Sequence, residues 1–279
     1  MKIITWNVNG IRSRIFNENI SSKLKKNQKI IVEQDSSMEK LLKYDPDFIC
    51  LQETRCSLAN SYNISIAGYK SFFNESKMTD ARGPDRYSGT AIFYKDTIKE
   101  IEFNTNVPGY DDLEGRIIIA ETPFIIIVTV YAPNSGTNYE AKREFNAAFL
   151  EYLSNISKPI VFCGDLNLAK QTHFDQSKVP PGPGTYPHEL KFYDDLILNG
   201  YQDAISDDDN IIYTWWDPRQ RKENGMSICR NRNKGWRLDY FLTKNINQAS
   251  SICLKNIGEN NQGIPLSSDH APVYLITKI

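Results

Sequence analysis

The chain has 279 residues, an apolar fraction of 40% with 11% aromatics, and a formal net charge of -1. This composition can bury a sizeable core and excludes wholesale disorder. The near-neutral charge excludes a global attraction to nucleic acid or anionic membrane, so any polyanion must be met by a local patch. Five scattered cysteines (Cys50, Cys56, Cys163, Cys229 and Cys253) lack metal-type spacing and read as thiols of a reducing compartment. With no secretory h-region and no apolar run approaching about twenty residues, the expectation is an intracellular protein without a membrane partner.

Residues 2–8 read as a first strand that gives out at Asn7, before Asn9-Gly10. Residues 12–35 are polar, with Lys23, Lys25, Lys26 and Lys29 as a solvated charge run, and read as a surface insertion. Ser36 stands three before Glu39, a capping box, and Met38, Leu41 and Leu42 give a short helix its apolar face until Asp45-Pro46 stops it. Phe48–Leu51 is a second buried strand ending in Gln52-Glu53-Thr54. A glutamate directly after a wholly apolar run either caps a surface turn or holds a cation, and its position favours the cation. Ser88–Tyr94 and Glu114–Ile119 are further strands, and the β-branched run Phe124–Val130 is a central one that enters Tyr131-Ala132-Pro133-Asn134.

Glu140–Ile156 carries Phe145, Phe149, Tyr152 and Ile156 at helical spacing, an aromatic stripe for the core. Pro159 opens the next apolar run, and Gly164 breaks it before Asp165 and Asn167. Such a strand delivers a carboxylate and an amide to its carboxyl end, where open sheets commonly hold ligands. A Pro-Gly loop from Pro180 leads to a helix marked by Leu190, Tyr193, Leu196 and Ile197 and closed by Gly200. Asp207-Asp208-Asp209 reads as a solvated turn. Beyond Tyr213, Arg219, Arg221, Lys222, Arg230, Arg232, Lys234 and Arg237 accumulate around Trp215, Trp216 and Trp236. Cations among aromatics suit a nucleic-acid backbone and an unstacked base or sugar, although by charge alone the reading as a solvated basic loop would win. Arg237–Leu242 is a strand with one lone Asp, and Ser268-Asp269-His270 precedes a last strand over 272–276. No repeat and no dividing linker is visible, which predicts a single domain over 1–279.

Together the strand ends bring Asn7, Glu53, Tyr131, Asn134, Asp165, Asn167, Asp239, Asp269 and His270. Carboxylates and amides without clustered thiols or imidazoles suit a hard cation, Mg²⁺ or Mn²⁺. Zinc is disfavoured because the three histidines are dispersed and no Cys pair joins them. Asp269-His270 adds an orienter and base of the kind hydrolysis needs.

In order along the chain stand Trp6-Asn7-Val8-Asn9-Gly10, Leu51-Gln52-Glu53-Thr54, Val130-Tyr131-Ala132-Pro133-Asn134, Gly164-Asp165-Leu166-Asn167, Gly235-Trp236-Arg237-Leu238-Asp239-Tyr240 and Ser268-Asp269-His270. In these segments the chain resembles the exonuclease III class of apurinic/apyrimidinic endonucleases, within the endonuclease/exonuclease/phosphatase superfamily, over nearly its whole length. The resemblance implies a DNase I-like α/β fold, a four-layered αββα sandwich of two mixed sheets flanked by helices. It implies Glu53 as the main Mg²⁺ ligand (with Mn²⁺ as a substitute), helped by Asn7 and by Asp269 or Asn9, with Asp165, Asn167 and His270 as further candidates. Asp165 would orient or deprotonate the attacking water, and Asn167 and Tyr131 would hold the scissile phosphate. His270, steered by Asp239, would stabilise developing charge; which of Asp165 and His270 is the base stays open. Asn9, Arg55, Asn134, Trp215, Trp236 and Leu238 are the implied substrate contacts, the last three as walls of a sugar pocket.

The implied reaction is hydrolysis 5′ to abasic sites in double-stranded DNA, with trimming of blocked 3′ ends and 3′→5′ exonuclease activity in base excision repair, by a monomer. The alternative is a superfamily cousin, a less specific DNase or another phosphoesterase. Trp236 and the basic stretch argue against lipid and inositol substrates. The chain departs from the family's pattern in the insertion after Arg14, the longer segment from Trp216 to Gly235, the Pro-Gly run, and Arg55 where many relatives carry lysine.

Overall fold

The computed structural model of the protein describes residues 1–15, 30–32, 34, 36–61, 64–81, 83–205, 212–219, 227–257 and 268–278. In chain order its elements are β1 (Lys2–Asn7), α1 (Arg12–Ile15), β2 (Ile30–Ile31), α2 (Ser37–Leu42), β3 (Phe48–Gln52), α3 (Leu58–Ser61), β4 (Ile64–Ser65), β5 (Tyr69–Asn74), β6 (Thr90–Lys95) and β7 (Glu102–Asn104). There follow β8 (Ile117–Glu121), β9 (Ile126–Tyr131), α4 (Tyr139–Ser154), β10 (Ile160–Asp165), α5 (Pro187–Leu198), β11 (Gln202–Asp203), α6 (Ile228–Asn231), β12 (Asp239–Lys244), β13 (Gln248–Cys253) and β14 (Val273–Lys278). Two mixed sheets result, ordered β13-β14-β1-β3-β6-β5 and β11-β12-β10-β9-β8-β7.

Period-two alternation explains why the sheets stack. Ile3, Phe48, Cys50, Ile127, Val161, Cys163, Phe241 and Val273 form one buried cluster between the sheets. Their neighbours Ile4, Trp6, Ile49 and Leu51 pack with Met38 and Leu41 of α2 on the far side of the first sheet. Val128, Val130, Phe162 and Leu242 pack with Phe145 and Phe149 of α4 and Phe192 and Leu196 of α5 on the far side of the second. Strands buried on both faces read as continuous apolar runs, and each such side chain contributes about 1.5–3 kcal/mol of burial. The layers are therefore helix, sheet, sheet, helix.

Local signals account for the element ends. Ser36 Oγ accepts from Glu39 N at 3.1 Å, the cap its sequence announces. Asn138 caps α4 by accepting from Ala141 N at 3.0 Å, and Pro187 occupies the first turn of α5. Gly164 has φ +129, and a Cβ there would lie 2.0 Å from Val130 O, so only glycine lets β10 lie against β9 at this point.

Three expectations change. Within the polar stretch read as an insertion from residue 12, Arg12–Ile15 is helical and Arg14 is buried, its Nε donating to Val8 O at 2.6 Å. Ile30–Ile31 also pairs in parallel with Ile64–Ser65. Residues 16–29, with their lysines, and the Asp207–Asp209 turn lie outside the described residues. The third change is two strands with no apolar run, β5 and β13, which edge the first sheet. No described helix is long and apolar enough to cross a membrane.

Candidate active site

The gap between the sheets turns polar at one end. Thr5, Gln52 and Thr129 share the alternation of the inter-sheet core residues, and Gln52 Nε2 donates to Thr5 Oγ1 at 3.0 Å and to Thr129 Oγ1 at 2.8 Å. One step further along the strands, Asp165 lies opposite Tyr131 on one side and Asp239 on the other. Asn7 Nδ2 donates to Glu53 Oε1 and to Asp165 Oδ2, both at 2.9 Å, and so joins carboxylates from opposite sheets. Its Oδ1 accepts from Asn9 N at 3.1 Å.

Several of these residues sit in the left-handed region: Asn9, Glu53, Arg55 and Asn167 have φ between 46 and 49. For a non-glycine residue this costs on the order of 1 kcal/mol, and the surrounding structure must hold it. At Glu53–Arg55, Thr54 N donates to Gly89 O and Arg55 N to Ser88 O, at 3.0 and 2.9 Å. At Asn167, the backbone N donates to Asp165 Oδ1 at 2.9 Å, Nδ2 donates to Ala132 O at 2.8 Å, and Oδ1 accepts from Asn134 Nδ2 at 3.1 Å. Beneath this turn the fully buried Lys142 of α4 donates to Leu166 O. Burial pulls its ammonium down to about 8, although Glu189 and Asp165 oppose the shift.

His270 faces both carboxylates of the second sheet. Its Nδ1 is 2.8 Å from Asp239 Oδ2, and its Nε2 is 3.7 Å from Asp165 Oδ2. Burial works against the imidazolium, but Asp239 and Asp165 outweigh it and shift His270 upward. Burial likewise raises Asp165, against the pull of His270. Tyr131 is pushed well above the usual phenol range by burial and then by Glu53. The backbone around His270 is pinned to the first sheet, since Ser268 Oγ donates to Asn7 O at 2.6 Å and Trp6 Nε1 to His270 O at 3.2 Å.

A cavity of about 260 Å³ opens over these groups, lined by Glu53, Tyr131, Asn134, Asp165, Asn167, Pro183, Gly184, Trp215, Trp236, Leu238, Asp269 and His270. Trp215 and Trp236 meet edge to face at 5.9 Å, and Trp215 Nε1 donates to Asp269 Oδ2 at 2.8 Å. Asn9 Nδ2 donates to Asp269 Oδ1 at 3.1 Å. A Cβ at Gly184 (φ +85) would lie 3.0 Å from the Trp236 ring, so the loop backbone touches that wall directly. Asn7, Asn9, Arg55 and Asp239 stand one contact behind the lining, and Arg55 is ion-paired with Glu53 at 2.6 Å.

Among the described residues no three His, Cys, Asp or Glu side chains form a ready-made cation cage. The donors present are Glu53, Asp269 and amide oxygens without a thiol, which fits Mg²⁺, an ion commonly held by one or two carboxylates plus water and substrate phosphate.

The tryptophan-bearing segment is divided. Trp215, Trp236 and Leu238 line the cavity, but Trp216 is 1% exposed. Arg230 stacks on Trp216 at 4.6 Å and donates to Ser268 O and Lys255 O. Arg237, 2% exposed, pairs with Asp203 and stacks on Tyr240 at 4.6 Å. These two arginines, counted among the cations that suit a nucleic-acid backbone, are instead held inside, each by an acceptor and a ring. Pro183 and Gly184 as cavity wall, Lys142 under the Asp165–Asn167 turn, and Arg116 behind Tyr131 were not singled out from the sequence.

Residues 4–270 match the family described as the Endonuclease/Exonuclease/phosphatase family. An exodeoxyribonuclease of Bacillus subtilis is 30% identical over 290 aligned positions that span 100% of both chains. The DNA repair nuclease APEX1 of Danio rerio is 29% identical, covering 100% of this chain and 83% of that protein. An AP endonuclease structure from Archaeoglobus fulgidus superposes with a TM-score of 0.71 at 22% identity, covering 100% of each chain.

Proposed function

The chain belongs to the endonuclease/exonuclease/phosphatase family, and from that membership we propose that it hydrolyses the phosphodiester 5′ to abasic sites in double-stranded DNA, with Mg²⁺ as cofactor. Clearance of blocked 3′ ends follows from the same chemistry. The single observation that carries this reading is one cavity lined both by Trp215, Trp236 and Leu238 and by Glu53, Asp165 and His270. An abasic sugar turned out of the duplex has no base to hydrogen-bond, so shape must select it, and a small aromatic and apolar wall does that.

Asp165 takes the proton of the attacking water. Its support is burial that raises its proton affinity, together with a carboxylate fixed at the cavity lining, Oδ2 accepting from Asn7 Nδ2 and Oδ1 from Asn167 N. His270, with Asp239 behind it, keeps its proton and donates from Nε2 to the phosphate. Asn167 and the Tyr131 hydroxyl hold the other phosphate oxygens. As water bonds to phosphorus, the P–O3′ bond breaks, which leaves a 3′-hydroxyl and a 5′-deoxyribose phosphate. Glu53, with Asp269 and the Asn7 amide oxygen as further donors, would hold a Mg²⁺, which when bound would supply electrostatic stabilisation of the charge on the phosphate oxygens.

The test compares one duplex with and without a tetrahydrofuran abasic analogue, in Mg²⁺ or EDTA, for wild type and Trp236→Ala. The expected result is Mg²⁺-dependent incision at the analogue only, and discrimination that shrinks about tenfold to hundredfold in the variant. Equal cutting of both duplexes by wild type would sink abasic specificity and leave a general DNase.

A further inference from the structure

Arg116 lies behind Tyr131, at the residue before β8, and is 2% exposed. All of its donor sides are engaged. Nε donates to Glu114 Oε2 at 2.8 Å, Nη1 to Tyr131 O at 2.8 Å, and Nη2 to Tyr87 Oη at 3.1 Å. Its guanidinium carbon also sits 4.5 Å from the Tyr131 ring centroid and 5.7 Å from that of Tyr87. One buried cation thus grips the Tyr131 main chain and covers the face of its ring. The turn before β8 does not need this side chain. Asp112 already closes it, accepting from Arg116 N and Ile117 N at 2.8 and 3.1 Å.

We infer that Arg116 is the positioning residue of Tyr131, aiming its hydroxyl into the cavity and strengthening it as a donor to an anionic phosphate oxygen. The inference rests on the proposed phosphate-holding role of Tyr131. The physical case has two parts. A guanidinium plane on an aromatic face fixes the ring's orientation, which an ammonium point charge cannot do. A positive charge beside the phenol opposes the burial and the Glu53 carboxylate that hold the proton back, and so makes the O–H a better donor.

A double-mutant cycle tests it, with Arg116→Lys, Tyr131→Phe and the pair measured for single-turnover incision, KM and thermal unfolding. Arg116→Lys is expected to slow the single-turnover rate about tenfold with KM changed less than twofold, and to change the Tyr131→Phe enzyme less than about twofold, because the hydroxyl it acts through is gone. Losses that multiply would mean that Arg116 acts on the fold alone, and would overturn the inference while leaving Tyr131 catalytic. A wild-type rate in Tyr131→Phe would overturn the role of Tyr131 and the inference together. Should Arg116→Lys fail to fold, Tyr87→Leu, at a half-buried position, removes one side of the bracket and the Nη2 acceptor. The same vanishing effect in the Tyr131→Phe background is expected, and a multiplied loss overturns the inference.

Discussion

The rim of the two sheets and the tryptophan-bearing segment after Tyr213 both carry polar side chains, and they treat them differently. At the rim, Asn7, Tyr131, Asp165 and Asp239 all point into the inter-sheet gap, in register with the core residues two positions away. In the other segment Trp215 and Trp236 stay at the cavity, whereas Arg230 and Arg237 turn inward to Trp216 and Asp203. A strand between packed layers leaves a side chain two directions, and alternation chooses one. A loop leaves many, and whichever partner lies nearby chooses. Charge on a loop is thus weaker ground for a ligand contact than position on a strand.

Three substitutions break or sharpen that contrast. Glu53→Gln keeps the shape of a rim residue and removes its charge. Incision is expected to fall by about 10⁴, the scale on which members of one catalytic unit matter, with partial recovery at high Mn²⁺ and unchanged thermal unfolding. A wild-type rate in EDTA would remove the cation from the rim. Arg237→Ala acts in the opposite sense: it strips Asp203 of its buried partner and is expected to cost about 3–5 kcal/mol in denaturant unfolding. The salt dependence of DNA binding should stay as it is; a slope reduced by about 1 would show a phosphate contact and erase the contrast.

The smallest effect concerns Lys142, which supports the rim from below. Its folded value of about 8 lies under the ordinary 10.5. Between these the unfolded chain holds a proton that the folded chain has released, so stability rises with pH across this window and carries a constant penalty below it. Relative to Lys142→Met, wild type should gain on the order of 1 kcal/mol per pH unit between pH 8 and 10, measured by urea unfolding. Parallel pH curves for the two proteins would show that the ammonium is not strained by burial.

The rim was readable because its strands are apolar runs that stop abruptly at Asn7, Gln52-Glu53, Tyr131 and Asp165. Edge strands offer no such signal. Tyr69–Asn74 buries only its last two residues, and Gln248–Cys253 buries only Ser251, so neither shows a run or a clean alternation. Arg14, near the start of the polar stretch, looks like a surface cation until its acceptor, Val8 O, is folded against it. Arg116 is hidden for a related reason: within the strand read over Glu114–Ile119 it is one more charged residue, and only the register with β9 brings Tyr131 over it.

The bridge that Asn7 makes between Glu53 and Asp165 has a consequence for the life of the chain before it is finished. The proposed cation-binding carboxylate belongs to one sheet and the water-activating one to the other, and the second sheet, β7–β12, is inserted in sequence between β6 and β13 of the first. A nascent chain that stops before β10 holds only the first carboxylate, and one that stops before β14 still lacks His270 in its place beside Asp239. On the proposed function, cutting power arrives only with the last strand, β14, whose approach carries His270 into place. A potentially mutagenic activity is thereby tied to quality of folding, as a safety catch that needs no inhibitor.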